Sequence, residues 1–214
     1  HTQTHAHLVR RLDGESEREW RERIRNEIEG AQSKLEQELG DAVIPVLAYP
    51  FGEYDIEIKD IVDDLGLTAL GQHSGAAGSA SDFLALPRFP VASGYDNLEL
   101  FAERVRSKAL PAEQVDNEEH VVAEYDPQPS LRLRLSPGDY RADALACFAT
   151  AQGAMDIEWI GDGFEVAVAR PREELGAGRS KYNCTAPSAS ESGIYYWFSY
   201  LWMKRNTDGS WYEE

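Results

Sequence analysis

Between positions 43 and 71 the chain runs through an apolar segment, a turn, an amphipathic helix and a second extended segment, an order few folds accommodate. Residues 43–48 are nearly all apolar, as expected for a strand buried on both faces of a parallel sheet. Tyr49-Pro50-Phe51-Gly52 ends that strand in a turn. Residues 56–65 place Ile58, Ile61, Val62 and Leu65 on one helical face, and Gly66 closes the helix. Residues 68–71 resume extended structure, which completes a βαβ unit.

A longer helix is predicted upstream. Ser16 with Glu19 forms a capping box, and Trp20, Ile24, Ile28, Ala31, Leu35 and Leu39 recur at steps of three and four until Gly40. Such a stripe fits a scaffold helix covering a sheet. Residues 74–81 are rich in small side chains and read as a loop, residues 84–91 as a further strand, and residues 98–105 as a closing helix.

Near Leu110-Pro111 the texture changes to short alternating segments. Leu131, Leu133 and Leu135 alternate with Arg132 and Arg134, the pattern of a strand with one wet face. Further short strands are predicted over 144–148, 155–160, 164–168, 180–185 and 194–202, with turns between them. The expected fold is therefore α/β plus all-β: residues 1–110 an α/β region, residues 111–214 a C-terminal β-sandwich. Alternation splits Tyr195, Tyr196, Trp197, Phe198, Tyr200 and Trp202 across two sheet faces, so core packing competes with a sugar-stacking platform.

Acidic residues outnumber basic ones 38 to 21, a formal net charge of −17, and such a surface repels phosphate backbones; no nucleic-acid partner is expected. No apolar run is long enough to span a membrane. Cys147 and Cys184 lie outside any C-x-x-C pair, and one disulfide or two separate buried thiols both fit.

The residues that carry chemistry begin at position 1. His1-Thr2-Gln3-Thr4-His5 spaces two imidazoles four apart, which on a helical turn lets both converge on one cation. A tag remnant or inert surface histidines would also put His1, His5 and His7 in seven residues; against the tag, the segment leads straight into a well-patterned helix. Two His are only part of a hydrolytic metal site, which ordinarily has three protein ligands and an open position.

This segment, followed by Ala48-Tyr49-Pro50-Phe51-Gly52-Glu53-Tyr54-Asp55, resembles the polysaccharide deacetylases, the NodB-homology family also grouped as carbohydrate esterase family 4. The resemblance covers about residues 1–108, and residues 65–70, Gln72-His73-Ser74-Gly75 and the 85–91 segment with Arg88 look like its next strands and loop. It implies a partial (β/α) barrel of the NodB type and metal-dependent removal of N-acetyl groups from an N-acetylglucosamine-containing polysaccharide. It further implies His1 and His5 as ligands of Zn2+ or another divalent metal, and the backbone N–H of Phe51 as an oxyanion-hole donor. Tyr49, Pro50, Gln72 and Arg88 are the implied substrate contacts. The C-terminal part looks like a β-domain appended in some bacterial members.

The departures are equally specific. The family's Asp-Asp motif, which supplies the third ligand and the base, lies upstream of the His motif, and these 214 residues open on the His motif itself. Asp13 and Asp55 follow no strand in the required context. The family's catalytic-acid His is not evident either, and the Arg often found before the Pro turn is absent. The expectation is a fragment lacking its upstream part, inactive alone, from a periplasmic or secreted protein. The competing expectation is a non-catalytic carbohydrate-binding or scaffold protein with a degenerate deacetylase half.

Overall fold

The computed structural model describes residues 1–91, 97–115, 119–161 and 163–213. It is a mixed α/β structure with several sheets and no closed barrel among the described residues. The chain divides into two compact units: His1–Gln72 with Asp82–Leu86, and His73–Ser81 with Pro87–Glu214.

In the first unit, α1 (Glu17–Leu39) starts where expected. Ser16 and Glu19 form the reciprocal capping box, and Gly40 ends the helix at a positive φ of 57°. Only the first half of its apolar stripe is covered: Trp20, Ile24 and Ile28 are buried, whereas Leu35 and Leu39 are 45% and 58% exposed. Length is the reason. A 23-residue helix runs roughly 34 Å. The helix packs on α2 (Ile56–Asp64), and the strands of this unit, β1 (Val46–Ala48) and β2 (Thr68–Leu70), are three residues each and so about 10 Å long.

β1 and β2 pair in parallel, Leu47 opposite Ala69, and α2 (Ile56–Asp64) crosses between them with Ile58, Ile61 and Val62 buried. The expected βαβ unit is therefore present. β1 is shorter than its apolar run because residues 40–42 form a 3₁₀ turn and Pro45 has no N–H to place in a ladder. The strand expected over residues 84–91 shrinks to one parallel bridge, Leu70 opposite Leu86. Pro87 and Pro90 interrupt the amide donors a strand would need there.

Asp55 caps α2 by accepting from the Ile58 N–H at 2.9 Å. Burial pushes its carboxyl up to about 6 from the usual 3.8; Glu57 adds to the rise, while the Ile58 hydrogen bond and Arg11 oppose it. Between these values the folded state holds the proton more tightly than the unfolded chain. Stability therefore falls as pH climbs from about 4 to about 6, and the penalty is complete above that window. Asn caps helices as well as Asp does. Asp55→Asn is expected to stabilise the unit by roughly 1–3 kcal/mol at pH 7 and by nearly nothing at pH 4. Urea midpoints at the two pH values measure this, and equal gains at both would refute it.

The second unit holds α3 (Leu98–Arg106), which Asn97 caps and none of whose side chains is buried. Its strands are β3 (Lys108–Ala109), β4 (Ala112–Gln114), β5 (Leu131–Leu135), β6 (Ala146–Ala149), β7 (Gly153–Ala154), β8 (Asp156–Ile160), β9 (Val166–Arg170), β10 (Gly178–Pro187) and β11 (Tyr195–Lys204). They form a five-stranded sheet ordered β3-β11-β10-β6-β7 and a four-stranded sheet ordered β4-β5-β9-β8. Asp162, in the expected turn at 161–163, lies outside the described residues.

Both sheets feed one hydrophobic core. Leu131, Leu133 and Leu135 enter it from β5, Tyr182, Cys184 and Ala186 from β10. Of the aromatic run on β11, Tyr200 and Trp202 are core and Tyr196 and Phe198 pack against it. Trp197 takes the opposite face, where its ring meets Phe89 edge-on at 5.1 Å. Alternation thus sends most of these rings inward. Cys147 and Cys184 stand directly opposite each other on β6 and β10 and form a disulfide, which resolves the two sequence readings. No helix among the described residues is long and apolar enough to cross a membrane.

Candidate functional site

The first seven residues are bent and not helical, so the expected helical turn is replaced by another device. His5 has a positive φ of 60°, and this bend, rather than a helix, returns its ring to His1. The ring centres are 4.9 Å apart. Two imidazoles sharing one ion at about 2.0–2.1 Å from each nitrogen have ring centres roughly 5 Å apart, the separation found here. A third position is not filled from within: the described residues hold no group of three or more His, Cys, Asp or Glu side chains able to hold a metal. No step can therefore be assigned to a metal held by these residues alone.

α1 fixes the bent segment along its length. The Glu27 carboxylate accepts from both the Thr4 N–H and the Thr4 hydroxyl, each at 2.9 Å. The Gln3 N–H donates to the Glu27 carbonyl at 3.0 Å. Gly30, one turn on, leaves the space that the Gln3 side chain occupies. The Trp20 indole N–H donates to the Leu8 carbonyl at 2.9 Å. Arg23 donates to the Arg10 carbonyl and grips Glu15, whose carboxyl it holds down at about 2. Thr2 is buried, and its hydroxyl has no hydrogen-bond partner among the described residues.

The Tyr49–Gly52 turn supplies the other wall. Residues 50–52 form one 3₁₀ turn with Phe51 at φ 57° and Gly52 at φ 71°. A left-handed Phe costs roughly 1–2 kcal/mol and persists only where its surroundings hold it. Here its ring is packed between two imidazoles: His7 stacks on it at 3.9 Å with the planes 10° apart, and His5 meets it edge-on at 4.5 Å. Glycine is required next, because a Cβ at position 52 would sit 2.5 Å from the Gln72 Cβ.

Behind the turn lies a carboxylate with no surface at all. Glu53 is 0% exposed and meets the His7 Nδ1 at 2.7 Å and the Arg10 guanidinium at 3.5 Å. A carboxylate accepts, so the His7 Nδ1 donates.

Residues 1–70 match the family model for polysaccharide deacetylases. The deacetylase match contains His1, His5, Tyr49, Pro50 and Phe51 and stops short of Gln72 and Arg88. None of the curated proteins matches the chain. Among solved structures, the chain is similar to PcoC, a methionine-rich copper resistance protein from Escherichia coli, at 18% identity over 40% of this chain and 86% of that one, TM-score 0.27. It is also similar to the endo-beta-1,4-mannanase from Thermotoga petrophila at 13% identity and TM-score 0.33. That similarity covers 86% of this chain but 44% of the mannanase.

The remaining expected contacts are dispersed. Tyr49 is fully buried, donates its hydroxyl to the Leu84 carbonyl at 2.7 Å and stacks on Tyr54, and burial pushes its phenol far above the ordinary range. Pro50 is buried in the same turn, and Gln72 is exposed beside Gly52. Arg88 belongs to the second unit. Its N–H donates to the His73 carbonyl, and its charge adds to burial and Arg179 in lowering the Lys181 amine. His73 is buried in that unit.

Sequence reasoning missed Glu27, Arg10 and Glu53. Glu53 lay inside the quoted turn motif, but its burial against His7 and Arg10 depends on residues more than 40 positions away. Glu27 carried no signal, being one of many acidic residues on a helix.

Proposed function

We propose that the first unit is part of a metal-dependent polysaccharide N-deacetylase acting on an N-acetylglucosamine-containing glycan. The observation that carries the reading is the meeting of His1, His5 and the left-handed Phe51 inside the segment that matches the deacetylase family. His1 and His5 would hold two positions of Zn2+ or another divalent ion. When bound, that ion supplies positive charge that polarises the acetamide carbonyl. The third ligand and the general base would come from outside these 214 residues, and the chain alone is expected to be inactive.

The chain's own part is positional. Glu27 and Trp20 hold the two imidazoles in a fixed bend. The Phe51 N–H would donate to the oxyanion that forms as water attacks the carbonyl, where a preorganised donor contributes most. Gln72 would border the glycan. The uncovered Leu35, Leu39 and Ile44 support the reading of a partial barrel that other elements complete. In the second unit, the shared core of two sheets supports a β-sandwich. The buried disulfide supports a periplasmic or secreted location.

Zinc titration of the full-length protein by calorimetry tests the assignment. His1→Ala with His5→Ala is expected to weaken binding at least 100-fold, and equal affinity would remove both ligands from the account.

A further inference from the structure

The Glu53–His7 pair sits beside the proposed oxyanion donor and is absent from the ligand set. We infer that Glu53, acting through His7, is a positioning device that holds the Phe51 turn in the conformation catalysis needs. The inference rests on the deacetylase reading for its chemical consequence, and on geometry alone for its structural one.

The geometry forms a closed loop of contacts. Phe51 and Glu53 belong to one turn. Glu53 reaches back to the His7 Nδ1, and the His7 ring lies flat on the Phe51 ring. A fully buried carboxylate must keep charged or polar partners, because water cannot replace them. Glu53 is therefore held in place by polar partners on both oxygens, His7 at 2.7 Å and Arg10 at 3.5 Å. Arg10, the second partner of Glu53, is tied through its carbonyl to Arg23. His7 is thus fixed in orientation from behind and presses on the one aromatic of the turn that has a left-handed backbone. Removing the imidazole frees one face of Phe51 and withdraws a contact that holds the strained φ.

Two backbone hydrogen bonds report the turn directly: Gly52 N–H to the Tyr49 carbonyl at 3.0 Å, and Glu53 N–H to the Pro50 carbonyl at 3.1 Å. Amide exchange followed by NMR on the 214-residue chain is the first test. In His7→Ala, these two amides are expected to exchange at least 10-fold faster while Ile61 and Val62 in α2 keep their wild-type rates. Glu53→Gln retains an oxygen acceptor for His7 and is expected to stay within about threefold of wild type, whereas Glu53→Ala, which removes the acceptor, is expected to match His7→Ala; wild-type exchange in Glu53→Ala would remove Glu53 from the device. Unchanged exchange in His7→Ala, or a uniform rise across the unit, would overturn the inference.

Zinc affinity and turnover separate positioning from other roles. His7→Ala is expected to leave zinc affinity within threefold of wild type; a loss equal to that of His5→Ala would make His7 a ligand and end the proposal. In the full-length protein, kcat on chito-oligomers is expected to fall at least 10-fold with KM within twofold. Faster exchange with unchanged kcat would refute the catalytic half. Should the wild-type protein not deacetylate at all, the deacetylase reading fails and takes the catalytic half with it, while the exchange result still decides whether Glu53 and His7 hold the turn.

Discussion

Trp20→Ala is expected to bring the first unit close to unfolding. Trp20 is 1% exposed, and its ring is the largest fully buried side chain of α1. Emptying a buried Trp site costs about 3–5 kcal/mol through lost transfer energy and the cavity that remains. The substitution also removes the donor to the Leu8 carbonyl, and leaving such a buried acceptor unpaired adds roughly 1–3 kcal/mol. The sum approaches the whole stability of an ordinary domain, about 5–15 kcal/mol. Trp20→Phe separates the two effects: it keeps most of the buried area and is expected to cost about 1–3 kcal/mol. Urea unfolding monitored by circular dichroism gives both values. Because Leu8 follows the His segment, zinc affinity is expected to drop even in the Phe variant. A Trp20→Ala chain with a wild-type midpoint would show that α1 does not anchor the N-terminal strap.

Removing the Cys147–Cys184 disulfide is expected to produce the second large loss, confined to the other unit. The bridge joins residues 37 apart. Closing a loop of that length removes unfolded-chain entropy equivalent to roughly 4 kcal/mol at 25 °C. In a unit of this size that corresponds to a fall in Tm of about 14 °C. Both cysteines lie inside the core, so an Ala pair adds the cost of lost sulfur packing. Calorimetry on Cys147→Ala/Cys184→Ala should show one transition moving down and the first unit's transition unmoved. A joint shift would mean that the units unfold together.

Local chemistry was readable along the chain. Ser16 with Glu19 and Gly40 bounded α1 correctly, because caps act within one helical turn and need no distant partner. The 43–71 pattern led to the parallel β1–β2 pair, and the Leu131–Leu135 alternation led to a strand with one face in the core, because periodicities of two and 3.6 directly encode which side is buried. Expectations slipped where the outcome depended on what lay opposite. Leu35 and Leu39 continue the stripe yet stay exposed, since burial depends on what the rest of the fold sets against that face.

The candidate site divides the same way. Residue types and their order singled out His1, His5 and the Tyr49–Gly52 turn, since ligand chemistry and proline-glycine turns are properties of a few neighbouring residues. Their arrangement was not written locally. The two imidazoles meet through a left-handed bend at His5 held by Glu27, and Phe51 is clamped by a histidine 44 positions earlier whose partner is a buried glutamate. The pairing of Cys147 with Cys184 was likewise open until strand register put them face to face. Short-range preferences are carried by each residue and its nearest neighbours. Which carboxylate is driven into the interior, and which cation must follow it there, is set by desolvation, and that exists only once the chain has closed around it.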